Sequence, residues 1–312
     1  MNHLSFFWLP ENNDLLVKGI ESEFSVLITH AITSGKITLP PIPDVVLKIQ
    51  RLCTRDCTTV FNIADCLFED PSLAAIVIRV ANSVIFNRRN ITCTDIVTAV
   101  SRLGILRVRD IVTAQAIEQL KHSVNLSRGC NQILINSAHT SRELAATMVM
   151  VVKGFKEIDP ARYDNLETDK ALLTGLLADI GLFCIVSEYH AYLEKGNYLN
   201  EEIAFQIFDN LCTSASELVL KQWGFDHDFL EVASNQAIQS IQSIQSKDVN
   251  VSYLDIARIA NHILLFRRQD DKIDEHTVEF DVAGADILYK LSNLSDIEFK
   301  TKINQLISAS GL

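Results

Sequence analysis

Proline is missing from the second half of this 312-residue chain: all six prolines lie at or before Pro160. The commonest helix breaker is therefore absent from about half the sequence. Long apolar runs are missing too. The longest nearly apolar stretch, Ala171–Val186, contains Asp179 and is shorter than the roughly 20 residues that a bilayer crossing needs. No Lys or Arg precedes Phe6, Phe7 and Trp8, and no small-residue cleavage site follows, so no secretory signal is expected there. The seven cysteines contain no CxxC pair and form an odd set, which argues against a disulfide framework and for buried, reduced thiols in a cytoplasmic protein. There is no GxGxxG, no P-loop pattern and no GxSxG elbow. Nucleotide binding by those loops and α/β-hydrolase chemistry thus lack support.

Apolar residues at helical spacing are plentiful. Val45, Ile49 and Leu52 form one stripe, and Leu73, Ile76, Val77 and Val80 another. Asp70 before Pro71 is an N-cap followed by a favoured first helical residue. Thr94 is expected to open a helix ending near Leu103, with Gly104 as its left-handed terminator. Ser252 opens a run in which Leu254, Ile256, Ala257, Ile259, Ala260, Ile263 and Leu264 can pack inward. No alternating strand series with hairpin turns is found. The expectation is an all-α protein of two helical lobes. Residues 1–38 form an extension with one helix over about Asn12–Ser34, residues 39–125 a first lobe and residues 130–312 a second. Arg128–Asn131 is a candidate hinge. The IQSIQSIQS run within 237–247 drifts about 60° per repeat on a helix and so holds no single apolar face; it is read as a helix end or connector.

Five segments, in order, resemble the HDOD family, relatives of the HD metal-dependent phosphohydrolases that lack catalysis. They are LPPIPDVVLKIQRL from Leu39, EDPSLAAIVIRVANS from Glu69, DIVTAVSRLGILRVRDIV from Asp95, GLLADIG from Gly175, and Lys221–Phe225. The likeness covers about Leu39 to Phe266. It implies a helical HD-type bundle, a bacterial signal-transduction role through binding, and a set of positions where catalytic relatives carry metal ligands. On that correspondence His139 stands at the first histidine, Ala178 replaces the second, and Asp179 keeps the aspartate. Cys212, 11 residues before Trp223, and Gln236, with its neighbours Asn235 and Ala237, replace later histidines. One carboxylate and one imidazole do not complete a hydrolytic divalent site, which needs about four to six donors. The expectation is a degenerate site with no cofactor and no catalytic residue. The competing reading is a metal-dependent phosphohydrolase with rearranged ligands, in which Cys212, His139 and Asp179 hold a softer metal. Glu143, one turn beyond His139, could neutralise it or form an ordinary surface pair.

Charge narrows the partners. A net charge of −11 disfavours general nucleic-acid affinity, despite the helix-turn-helix look of the segments joined at Gly104. No membrane association is expected. Arg79, Arg88, Arg89, Arg102, Arg107 and Arg109 nevertheless fall in one stretch with a single acid, Asp95. Two readings stand: a solvated face with ion pairs between lobes, or a docking patch of Arg88, Arg89, Arg107 and Arg109 for an acidic partner or a phosphate. Unidentified signalling proteins, or a second copy of the chain, are the expected partners.

Overall fold

The structure, a computed structural model, describes residues 22–87, 91–123, 126–236, 251–270, 273 and 282–310. The described residues contain fourteen α-helices and no strand. In chain order they are α1 (Glu23–Thr33), α2 (Asp44–Cys53), α3 (Val60–Phe68), α4 (Pro71–Ala81), α5 (Ile96–Leu103), α6 (Ile105–Ser123), α7 (Arg128–Ile158), α8 (Thr168–Leu177), α9 (Ile180–Glu194), α10 (Glu201–Gln222), α11 (His227–Ser234), α12 (Tyr253–Arg268), α13 (Val282–Ser292) and α14 (Asp296–Ser310). Polar side chains at helix starts explain many of these boundaries. Asp70 accepts from the backbone of Ser72 and Leu73, with Pro71 in the first helical position. Ser252 and Asp255 close a capping box on α12. Asp95, not Thr94, caps α5: its carboxylate accepts from Thr98 N at 2.8 Å. Gly104 ends that helix at φ 85°, where a side chain would be strained.

Two compact units share the chain. The smaller comprises residues 40–120 and 295–312. Val46, Ile49, Ile63, Leu67, Val77, Val80 and Val100 form its core. A buried hydrogen bond from Gln50 Nε2 to Thr113 Oγ1, 3.1 Å, joins α2 to α6. Asn82 braces the loop before α5, giving Nδ2 to the Cys93 carbonyl and accepting Cys93 N.

The larger unit comprises residues 1–39 and 121–294. The N-terminal helix thus belongs with the later part of the chain. Phe24 packs its ring on Tyr189 and Tyr192, 5.6 and 5.3 Å between centroids, and Gln222 Nε2 donates to the Gly35 carbonyl. The last helix, α14, falls in the smaller unit. The proposed hinge at Arg128–Asn131 is instead the first turn of α7, capped by Ser127. The 237–247 repeat lies outside the described residues.

At 31 residues α7 is the longest of the described helices, about 46 Å. Every residue from Leu144 to Val152 is buried, so its middle is surrounded by neighbours. Two glycines of GLLADIG set how closely α8 and α9 approach their partners. A β-carbon on Gly175 would lie 2.6 Å from Ala145 Cα of α7, and one on Gly181 would lie 2.3 Å from Ser216 N of α10. The stretch Thr168–Glu194 is long and apolar enough to cross a bilayer by composition. It is mostly buried within the fold, however, and α8 and α9 are separate helices meeting at Ala178–Asp179.

Candidate functional site

Asp179 sits where α8 gives way to α9, with φ −108° and ψ 23°. Its carboxylate begins a helix, where the unpaired backbone N–H groups favour negative charge. It is only 8 % exposed, and burial of a carboxylate demands donors. Three side chains supply them. Lys121 Nζ, from the last turn of α6, lies 2.9 Å from Oδ1. Ser141 Oγ of α7 lies 2.7 Å from Oδ1. Ser137 Oγ, one turn earlier on α7, donates to Oδ2. Lys121 is 2 % exposed and also donates to Ser141 Oγ at 3.3 Å. Both carboxylate oxygens are therefore occupied, and the cation held by Asp179 is an ammonium carried by the chain.

The other expected positions do not converge on this carboxylate as metal donors. His139 lies between Ser137 and Ser141 in sequence, about 200° around α7 from each, on the opposite face. Its side chain is 71 % exposed, and its Nδ1 stands 3.8 Å from Glu143 Oε2. Glu143 is half-buried and in turn pairs with Arg268 of α12, a closer cation than His139, so it is not simply an exposed partner of that histidine. Ala178 is buried and carries no donor. Cys212 is buried next to the site, its Sγ 4.0 Å from the Asp179 carbonyl and 3.8 Å from Ser216 Oγ. Burial, then the Asp179 carboxylate, push its thiol well above the ordinary range, so it is a neutral S–H rather than a ligand thiolate. Gln236 is exposed, its backbone N resting on Ser234 Oγ, and Asn235 takes a left-handed C-cap whose oxygens accept from Arg258. Ala237 lies outside the described residues. This donor set does not fit a hydrolytic metal.

A second group that could take a cation is already filled in the same way. Asp226, His227 and Asp228 each bring one donor atom within 4.8 Å of the others. Lys170 Nζ reaches both carboxylates, 3.2 Å from Asp226 and closer to Asp228. Asp226 also caps α11 through Asp228 N. Burial pulls the Lys170 pKa down, but the carboxylates of Asp228 and Asp226 more than reverse this and leave it raised. A raised folded pKa means stability that is complete below the unfolded value near 10.5 and fades as pH climbs through the folded value. The stability lost in Lys170→Met should thus be constant from neutral pH to about 10 and shrink above that, read from denaturation midpoints along a pH series. A loss that shrank on acidification from pH 7 to 5 would contradict this pairing.

Of the arginine patch, two members lie among the described residues. Arg109 is 4 % exposed, and its guanidinium lies 2.7 Å from Asp110, inside the smaller unit. Arg107 is half-buried, while Arg88 and Arg89 lie outside the described residues. Arg102 is spent on the Ala81 carbonyl and the Asn82 side chain.

Lys121, Ser137 and Ser141 were not singled out by sequence. Lys121 lies 58 residues from Asp179 and, near the end of a helix, looks like an ordinary dipole-complementing base. The one local signal is a pair of serines at i, i+4 on the same face of a long apolar helix.

Comparison with known proteins agrees with this frame. The HDOD domain model matches residues 39–238, more than half of the chain. No curated protein matches the chain in sequence. Among solved structures, a candidate metal-dependent phosphohydrolase from Shewanella amazonensis SB2B superposes with TM-score 0.61 at 22% identity, covering 90% of this chain and 98% of its own. An HDOD domain protein of unknown function from Geobacter sulfurreducens gives TM-score 0.45 at 20% identity, covering 92% and 95%. A candidate signal transduction protein from Marinobacter aquaeolei VT8 gives 0.46 at 15%, covering 97% and 65%. At these identities the first likeness speaks to the fold alone. The helical architecture, the order of the five segments and the family match together place this chain in the HDOD domain family.

Proposed function

We propose that this protein is a non-enzymatic signal-transduction module of a bacterial cytoplasm, acting by binding another protein or a small ligand. One observation carries the reading: the Asp179 carboxylate, the acid of the GLLADIG segment, is paired with Lys121 and hydrogen-bonded by Ser137 and Ser141. Lewis-acid activation of water for phosphoester hydrolysis needs a metal with an open coordination position. Here the Asp179 carboxylate has both oxygens hydrogen-bonded and an ammonium as its counter-ion, the histidine faces outward and the thiol is held neutral. What survives is the helical frame, and a frame without chemistry serves by presenting surfaces. Its partners are signalling proteins, with self-association as the other outcome. The net charge of −11 weighs against nucleic acid.

The test is hydrolysis of phosphodiester and phosphomonoester substrates by the full chain in added Mn²⁺ or Mg²⁺. The expected rate equals that of the Asp179→Ala variant and of the protein-free blank. Turnover that disappears in Asp179→Ala would favour the rearranged phosphohydrolase instead.

A further inference from the structure

Helix α3 is amphipathic in an unusual way. Its inner face is apolar, with Ile63, Ala64 and Leu67 buried. Its outer face is not simply polar: Phe61 is 66 % and Phe68 62 % exposed, one near each end of the helix. Seven residues apart, they share a stripe, and Asp65 lies between them on that stripe, also exposed. The two rings leave on the order of 250 Å² of apolar surface in water, close to the size at which patches on monomers become functional. Isolated exposed apolar residues are common; two phenylalanines aligned on one nine-residue helix are not accounted for by the fold.

Charge around the stripe selects what could cover it. From Asp56 to Asp70 there are four acids and no Lys or Arg. Two of these acids are engaged: Glu69 pairs with Lys48 at 2.5 Å, and Asp70 caps α4. Asp56 and Asp65 are exposed and have no ion-pair partner among the described residues. We propose that the Phe61–Asp65–Phe68 face of α3 docks an amphipathic helical segment of a partner protein that sets a Lys or Arg between two apolar side chains. The apolar side chains cover the rings and the cation meets Asp65, the helix-on-helix mode in which spaced apolar anchors give affinity and a central charge gives register. A second copy of this acidic chain is a poorer match, because the net charges repel. This inference rests on the binding-module reading and names the partner's chemistry.

The probe is a fluorescein-labelled, amidated helical peptide of Leu and Lys with one apolar and one basic face, titrated into the full chain. A Leu/Glu peptide of the same pattern is the control. The basic peptide should bind and the acidic one should not. Phe61→Ser, Phe68→Ser and Asp65→Lys should each weaken binding by about fivefold or more, while Asp164→Lys, an equal charge change in an exposed loop of the other unit, should leave it within about twofold. All four positions are exposed, so the variants should fold, as circular dichroism would verify. Equal losses from Asp164→Lys and Asp65→Lys would mean global attraction and overturn the proposal, as would binding indifferent to both phenylalanines. Sedimentation in which Phe61→Ser converts a dimer to a monomer would replace the partner with a second copy and overturn it too. Failure here with the hydrolysis assay still blank would remove the docking face alone. Phosphoester turnover dependent on Asp179 would remove the binding-module reading itself.

Discussion

Gly181→Ala should destabilise the protein by about 3 kcal/mol, and Gly181→Val should prevent folding at ordinary temperature. The added β-carbon would lie 2.3 Å from Ser216 N, 2.6 Å from the Ala215 carbonyl carbon and 2.7 Å from Ala215 Cβ. These are backbone and first side-chain atoms of α10, which cannot swing away, so the two helices must part. Parting them also strains the 2.9 Å hydrogen bond that Gly181 N gives to Ser216 Oγ and opens space beside Cys212 and Asp179. Gly175→Ala should follow the same course against Ala145. Gly129, in the first turn of α7 with open space around its missing side chain, is the control. There an alanine should be neutral or stabilising by up to about 1 kcal/mol. Urea unfolding midpoints of the three alanine variants decide the matter. Similar midpoints for Gly181→Ala and Gly129→Ala would show that α9 and α10 are not held at this distance.

The Lys121–Asp179 pair should show the second large effect, and its signature is non-additivity. Asp179→Ala leaves the Lys121 ammonium buried with a serine hydroxyl as its nearest remaining partner, and Lys121→Met leaves a buried carboxylate with two serines. Breaking one side of a buried pair costs about 3–5 kcal/mol, because the surviving charge has lost both its water and its counter-charge. Removing both leaves no uncompensated charge. The Lys121→Met/Asp179→Ala double variant should thus be more stable than the sum of the single losses implies, by about 2 kcal/mol or more. A double-mutant cycle on unfolding free energies measures this directly. Additive losses would mean that the lysine and the aspartate are not coupled, and the reading of the ammonium as the site's own cation would fall.

What the sequence made legible was periodic or local. Apolar stripes gave the helices, and Asp70, Gly104 and Ser252 marked ends because capping is decided within a few residues. At α5 the cap fell one residue away, on Asp95, since Thr94 and Asp95 are both capable and only backbone geometry chooses between them. The frame of the site was legible in the same way: GLLADIG marks the α8–α9 junction, with Asp179 as its acid. Its content was not. His139 was placed on the site by motif correspondence, yet the angular step along α7 turns residue 139 away from residues 137 and 141. Lys121 and Arg109 show the opposite difficulty. Both are long cations that sequence alone assigns to the surface, and both are buried because a carboxylate waits inside, Asp179 in one case and Asp110 in the other. Lys121 meets its carboxylate across 58 residues, a pairing that leaves no periodic trace, whereas Asp110 adjoins Arg109 and its adjacency alone does not reveal burial. The end segments joined units that chain order would not choose, because ring contacts such as Phe24 with Tyr189, not sequence proximity, bring α1 to α9.

The central claim is that an ammonium stands where a divalent ion would have to bind. Metal analysis of the full chain, purified, equilibrated with Mn²⁺ and then desalted, tests it most directly. The account predicts well under about 0.1 ion per chain, equal in the wild type and in Asp179→Ala. About one ion per wild-type chain, lost in Asp179→Ala, would contradict it.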